Sequence, residues 1–237
     1  MVDFCSFNRE TVAVAMSYLD RFLLTSAGLP VLGDTNAFQL AAMTSLYTAV
    51  KIHEPEIMGV DLVSKLSRGQ YAPNQIEAME YTMLQALGWR VNTPTALAFV
   101  RKFLELLPQG SLEESIAEAA YDLSKFQSEL AVGDYNLVPI QASTVAYASI
   151  INSLEGLAVD ASIIENLAYT IAGALRLDIA SQEIRDVQNY LYQSISQQSS
   201  GEAVANASPS RPKASASSPC RRGPAEASPR TVEAMVM

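Results

Sequence analysis

The run NAFQLAAMTSLYTAVK, Asn36 to Lys51, limits most strongly what this chain can become. It carries no formal charge before Lys51, and its apolar residues, among them Phe38, Leu40, Met43, Leu46, Tyr47 and Val50, fall on nearly every face of a helix. A helix that is apolar all round is a buried helix. Its residues rise only about 24 Å, and Thr44, Ser45 and Thr48 interrupt the run, so a core position fits better than a membrane span. The pattern predicts the central post of an all-helical domain, stopped by Pro55 once Lys51 and Glu54 have been carried to its end. Asp34, Thr35 and Asn36 are all suitable caps for its start.

The flanking segments read as helices with one buried face. From Arg9 to about Leu24, Val12, Ala15, Met16, Leu19, Phe22 and Leu23 recur at helical steps, with Asp20 and Arg21 of YLDRFL as a solvated pair at the edge. After a loop broken by Gly28, Pro30 and Gly33, a short helix is expected at Val60 to Leu66, with Leu62, Val63 and Leu66 inward. Pro73 opens the next helix, whose face holds Ile76, Met79, Met83, Leu84 and Leu87 before Gly88 ends it. Glu80 falls on that same face, and Lys51 continues the apolar rows of its own helix. A charge in an apolar phase is costly unless it is paired or reaches solvent. Two readings stay open at this point: each side chain snorkels outward, or the two neutralise each other across packed helices.

The second half repeats the style of the first. Residues 94–107 form a helix with Leu97, Val100, Phe103, Leu104 and Leu107 inward, and Ser111 with Glu114 makes a capping box for a helix to about Val132. Another uncharged stretch, Gln141 to Leu154, matches the opening one in character, and helices over about Ala161–Ala174 and Ser181–Ser196 follow. From Gln197 the chain turns to Ser, Ala, Pro and Gly without periodicity, which predicts disorder. Two buried posts at corresponding points imply two similar five-helix units.

Charge narrows the partners. The chain carries a formal net charge of -9, and with five basic against three acidic residues from Gln197 onward, residues 1–196 hold 11 against 22, or -11. An acidic body argues against non-specific binding to nucleic acid or anionic membranes. Cys5 and Cys220 cannot make a disulfide framework and suit a reducing compartment, and the start MVDFCSFNRE has neither the basic nor the apolar region of a secretory signal. One histidine, His53, with no Cys/His cluster and no Gly-rich phosphate loop, leaves no parts for an enzyme, a metal centre or a bound cofactor.

Four segments in order, YLDRFL, QLAAM, AVKIHEPE and QYAPNQIEAMEYTMLQALGWRVNTPTALAFVRKFL, resemble the successive signatures of a cyclin box, including the step of 29 residues from Lys51 to Glu80. The resemblance covers about residues 9–107 and extends less tightly to the second half. It implies an all-α protein of two tandem cyclin-like five-helix lobes: a truncated N-terminal box over residues 1–93, a C-terminal lobe over 94–196 and a disordered tail over 197–237. It further implies that Lys51 and Glu80 form a pair facing a cyclin-dependent protein kinase, with Glu54 beside them. Ile52 and His53 depart from the family's run at that point. Leu40 matches a core position, and Phe38 and Gln39 match half of the face that docks substrates. The box normally opens with a helix whose Arg pairs with the Asp of YLDRFL; eight residues before Arg9 are too few for it, so Asp20 lacks that partner and a start incomplete at its N-terminus is expected.

The function implied is that of a non-enzymatic regulatory subunit of a cell-cycle kinase, a heterodimer with the kinase and not a homo-oligomer, in nucleus and cytoplasm. Ser208 and Ser218, each followed by Pro and then by Arg at the third position, resemble substrate sites of such kinases. The alternatives are a kinase-independent scaffold, a transcription-related cyclin-fold protein of the TFIIB type, which would need a basic face, and a nonfunctional truncated product.

Overall fold

The computed structural model describes residues 7–55, 58–108, 110–175, 178–179 and 181–205, with side chains to residue 196. Every regular element among them is helical: α1 (Glu10–Leu23), α2 (Thr35–His53), α3 (Val60–Leu66), α4 (Pro73–Ala86), α5 (Ala96–Leu104), α6 (Glu114–Val132), α7 (Ala142–Gly156), α8 (Ala161–Leu175) and α9 (Gln182–Ala205), with 3-10 turns at Leu29–Gly33 and Tyr135–Leu137. Asp34 is the residue that caps α2, its carboxylate accepting from the Asn36 amide at 2.8 Å.

Two helices with uncharged bodies organise the packing. Around α2 gather Tyr18, Phe22 and Leu19 of α1 and Met83 of α4, and beside them Tyr47 and Val50 meet Val63, Tyr71 and Ile76. Around α7, in which eleven of fifteen residues are buried, gather Leu97, Val100 and Phe103 of α5, Leu167 and Ile171 of α8, and Val187 and Leu191 of α9. Each large aliphatic or aromatic side chain fully withdrawn from water contributes about 1.5–3 kcal/mol. Hydroxyls inside the posts bond back along their own helices: Ser45 to the Ala42 carbonyl, Ser149 to Ala146, and Ser153 to Ser149. Such back-bonding meets the donors of these serines inside a core, whereas the buried Thr44 hydroxyl of α2 has no partner among the described residues.

Several sequence expectations shift. α2 is buried through its second half, but Asn36, Phe38 and Gln39 in its first turns are exposed. In α3 Val63 is buried and Val60 packs partly beside it, but Leu62 and Leu66, one turn apart, face solvent at 44% and 38% exposure because two turns of helix offer one narrow contact face. α1 buries Thr11, Val14, Ala15, Tyr18, Leu19 and Phe22, a stripe displaced towards Tyr18 from the expected one, leaving Val12 and Met16 half-buried. Ser111 does not cap α6. The chain first turns at Gly110 and brings Leu112 onto the α5–α7 core, so the helix begins behind Glu113, and the Ser111 hydroxyl is buried without a partner. α9 runs to Ala205 instead of ending at Ser196; Gln, Glu and Ala favour helix enough to carry it past Gly201. Ser208 and Ser218, with the rest of the expected tail from residue 206, lie outside the described residues.

The turn after α1 is held by one close approach. The Phe22 carbonyl accepts both the amide and the hydroxyl of Thr25, at 2.9 and 2.6 Å, and the chain then folds back so that a Cβ on Gly28 would sit 2.0 Å from that oxygen. Gly33, in the same loop, has nothing within 4 Å of such an atom. Urea denaturation should therefore show Gly28→Ala less stable by about 1–3 kcal/mol, with Gly33→Ala within about 0.5 kcal/mol of the parent.

Candidate functional site

Position 51 meets position 80 because their neighbours pack. Val50 and Ile76 share one hydrophobic cluster, and Ala49 and Met83 share the next, which sets the last turn of α2 against the middle of α4. Lys51 Nζ bonds both carboxylate oxygens of Glu80, at 3.2 and 3.1 Å, and Thr48 donates to Oε1 at 3.4 Å. The ammonium also lies 5.5 Å over the ring of Tyr47. Glu80 is nearly enclosed, its side chain 10% exposed, whereas that of Lys51 is 50% exposed. Burial pulls the Lys51 pKa down, but the hydrogen bond and charge of Glu80, aided by Tyr47 and Glu77, outweigh it and hold the group above its usual value. The site thus offers one fixed cation at the surface, anchored from beneath by a buried carboxylate.

The other residues singled out in the sequence lie around this pair without joining it. Glu54 ends α2, but its Oε1 accepts from the Asn8 amide at 2.9 Å and from the Thr11 hydroxyl, so its carboxylate ties α2 to the start of α1. Leu40 is half-buried against the Tyr47–Val63 cluster, and Phe38 and Gln39 are exposed at the far end of α2. Asp20 and Arg21 are not a solvated pair. Arg21 donates to the Thr93 hydroxyl at 2.7 Å and the Arg90 carbonyl at 2.9 Å, while Asp20 stands half-buried with its pKa raised by loss of water.

Sequence reasoning missed Tyr18. It is fully buried, donates to the Val91 carbonyl, and has His53 Nε2 3.1 Å from its own hydroxyl oxygen. With its proton committed to Val91, the hydroxyl accepts, so His53 carries hydrogen on Nε2. Burial pushes the Tyr18 pKa up to about 12, slightly offset by the Arg21 charge. The signal was present: Tyr18 is one turn before Phe22 and in the same row. Tyr18 and Arg21 together fasten α1 to the connector leading into α5. Glu10 fastens it again, accepting from the Thr95 hydroxyl and from Arg101 Nη1 at 2.9 Å.

No group of three His, Cys, Asp or Glu side chains among the described residues could hold a metal ion, and no helix among them is long and apolar enough to cross a membrane. Residues 2–92 match the family model of the cyclin N-terminal domain. The chain is 30% identical over 141 residues to putative cyclin-A3-1 of Arabidopsis thaliana, covering 60% of itself and 38% of that protein. It is 27% identical over 169 residues to G2/mitotic-specific cyclin-B1 of Caenorhabditis elegans, covering 70% of itself and 45% of that protein, and 31% identical over 150 residues to G2/mitotic-specific cyclin-B1 of Xenopus laevis, covering 62% and 34%. Residues 2–92 thus carry a cyclin N-terminal domain, and the chain spans less than half the length of these cyclin relatives. Its fold resembles a chain in the structure of the Chaetomium thermophilum CAK complex bound to ATP-gamma-S, with a TM-score of 0.55, 16% identity, and coverage of 83% of this chain and 58% of that one.

The asymmetry of the pair sets the cost of breaking it. Removing the cation in Lys51→Ala leaves a nearly buried carboxylate with Thr48 alone, and denaturation should show a loss of about 1–3 kcal/mol. Glu80→Gln leaves an ammonium free to reach water and should cost under about 1 kcal/mol. A raised Lys51 pKa stabilises the fold below about pH 10.5 and is lost as pH rises through the folded value. Tyr18, neutral in the fold up to about 12 but ionising near 10 when unfolded, acts in the same direction. Stability measured against pH should thus fall from about pH 10 to 12, less steeply in Tyr18→Phe.

Proposed function

We propose that the chain is a cyclin that binds and activates a cyclin-dependent protein kinase through the surface centred on Lys51 and Glu80. The observation that carries this is the ion pair itself. Two opposite charges from separate helices are locked at 3.1 Å with the cation held half out of the surface, an arrangement suited to donating to a partner's backbone carbonyls. A kinase needs its own Lys-to-Glu pair assembled and its activation loop placed, and a rigid helical partner shifts that balance by binding the assembled state more tightly. The chain serves in this reading as a non-catalytic subunit in cell-cycle control, in nucleus and cytoplasm, forming a heterodimer with the kinase.

Further parts of the reading follow from it. The lobes divide at residues 93 and 94, and Glu54 acts on the kinase contact indirectly by holding the end of α2 to α1. Phe38 and Gln39 are the remaining half of a substrate-docking face. Ser208 and Ser218 are phosphorylation sites for a kinase that prefers Pro and a following Arg. The CAK complex likeness supports the fold on which the reading rests, and the cyclin relatives support the regulatory role.

The test is a charge reversal in the full chain. Lys51→Glu with Glu80→Lys keeps an internal pair but moves the exposed charge to the opposite sign. Affinity purification of the parent should recover a cyclin-dependent kinase and its activity on a histone-type substrate; the double variant, its helical content unchanged, should lose both by at least about tenfold. A folded double variant that retains the kinase would refute the contact, and a parent chain that recovers no kinase would favour the scaffold reading.

A further inference from the structure

The end of α2 displays Lys51, Ile52 and His53 in succession, all exposed and stepped about 100° apart round the helix. The two polar ones are anchored alike. On one flank the buried carboxylate of Glu80, on α4, holds Lys51; on the other the buried hydroxyl of Tyr18, on α1, holds His53. Tyr18 spends its own proton on the Val91 carbonyl, so His53 donates to it from Nε2. A neutral imidazole with hydrogen on Nε2 has a bare acceptor at Nδ1. That nitrogen takes no hydrogen bond among the described residues. α2 thus ends in a fixed donor, an apolar side chain and a fixed acceptor.

We propose that His53 is a second contact of this surface with its partner, its Nδ1 accepting from a hydrogen-bond donor of the kinase, and that their association therefore responds to pH. The inference rests on the reading of Lys51 and Glu80 as the kinase contact. Protonating the ring leaves the Nε2 donor and its bond to Tyr18 in place, but it turns Nδ1 from acceptor into donor and adds a cation to the end of α2 that already carries Lys51. The chain keeps its internal bonds, whereas a partner that presents a donor at this point loses a hydrogen bond and meets like polarity. The surrounding charges are committed elsewhere. Glu10 of α1 is bound to Thr95 and Arg101, Glu54 to the Asn8 amide and Thr11, and Arg21 to Thr93 and the Arg90 carbonyl. Tyr18 stays neutral up to about 12, Glu80 holds Lys51 charged, and Arg90, one residue before Val91, is a permanent cation. Histidine is the side chain whose charge ordinarily changes between about pH 5 and 8, and His53 is the single one in the chain.

Labelling histidine alone with nitrogen-15 in the full-length chain gives the signals of one residue. Long-range proton–nitrogen spectra of the neutral ring should show hydrogen on Nε2; hydrogen on Nδ1 would overturn the proposal. Affinity for the cyclin-dependent kinase recovered with the parent should fall about tenfold between about pH 7.5 and 5.5. His53→Gln offers an amide N–H to Tyr18 and an oxygen to the partner without titrating, so it should bind as the parent does at the higher pH and lack the parent's added loss at the lower. His53→Lys, a donor at either pH, should bind about tenfold more weakly than the parent at the higher pH. Equal pH responses in the parent and His53→Gln, or undiminished binding by His53→Lys, would overturn the contact alone, while loss of binding in Lys51→Glu with Glu80→Lys would still uphold the reading beneath it. A parent that binds no kinase, or a double variant that keeps it, would overturn that reading and this contact together.

Discussion

Glu80 is a buried carboxylate, and that fixes what stands around it. A charge this enclosed is tolerable only if a cation is delivered with good geometry and the remaining oxygen capacity is used. Lys51 and Thr48, one turn apart on α2, do both. For them to arrive together, α2 must run unbroken to its last turn and lie against α4 in a single register, with Val50 and Ile76 in one cluster and Ala49 and Met83 in the next. The apolar post and the polar contact are thus one constraint. A slip of α2 by one residue would carry Lys51 about 100° round the helix and leave the carboxylate bare.

α1 does the complementary work between the helical groups. Its buried stripe packs on α2, while Glu10, Tyr18 and Arg21 hold the connector and the start of α5. Arg9 extends the same side to Glu129 of α6 at 3.3 Å, in an exposed pair worth little by itself. The hydrogen bonds from Tyr18 and Arg21 to main-chain carbonyls of the connector count for more, since an unmet carbonyl near a core is expensive. Glu54 closes the circuit from the end of α2 back to the start of α1. The orientation of the Lys51–Glu80 surface relative to the second helical group therefore rests on a few polar ties around one helix.

Much of this was legible in the sequence, for identifiable reasons. Absence of charge over a full helix length located both posts, and Pro73 and Gly88 marked the two ends of α4, because these signals are local. The Lys51–Glu80 pair could be suspected from phase alone, and a family resemblance decided it. What escaped was set by tertiary context. Periodicity ranked Val12 and Met16 as core and passed over Tyr18, since an amphipathic aromatic is buried only when a partner exists for its hydroxyl, and that partner is a main-chain carbonyl 73 residues away. Ser111 satisfied the capping spacing, but the core drew in Leu112 and delayed the helix. Glu54 was assigned to the site by its place in the family's run after Lys51, and no local signal marked that its carboxylate is also bonded to the Asn8 amide and the Thr11 hydroxyl.

The two posts differ in what they leave at the surface. α2 and α7 are equally free of charge in their apolar bodies, but α7 is enclosed by α5, α6, α8 and α9 along its length, and its polar side chains are spent internally. Asn152 donates to Gln127 and to the Gln188 carbonyl, and Ser124 and Gln127 both bond Ser153. Such a network, satisfied at each member, specifies one packing and leaves nothing for a partner. α2 is covered only through its second half. Its first turns present Phe38 and Gln39, and its last turn presents a cation whose counter-charge lies below the surface. A post sheathed on every side can only support; one left bare at both ends can support and also be read by another protein.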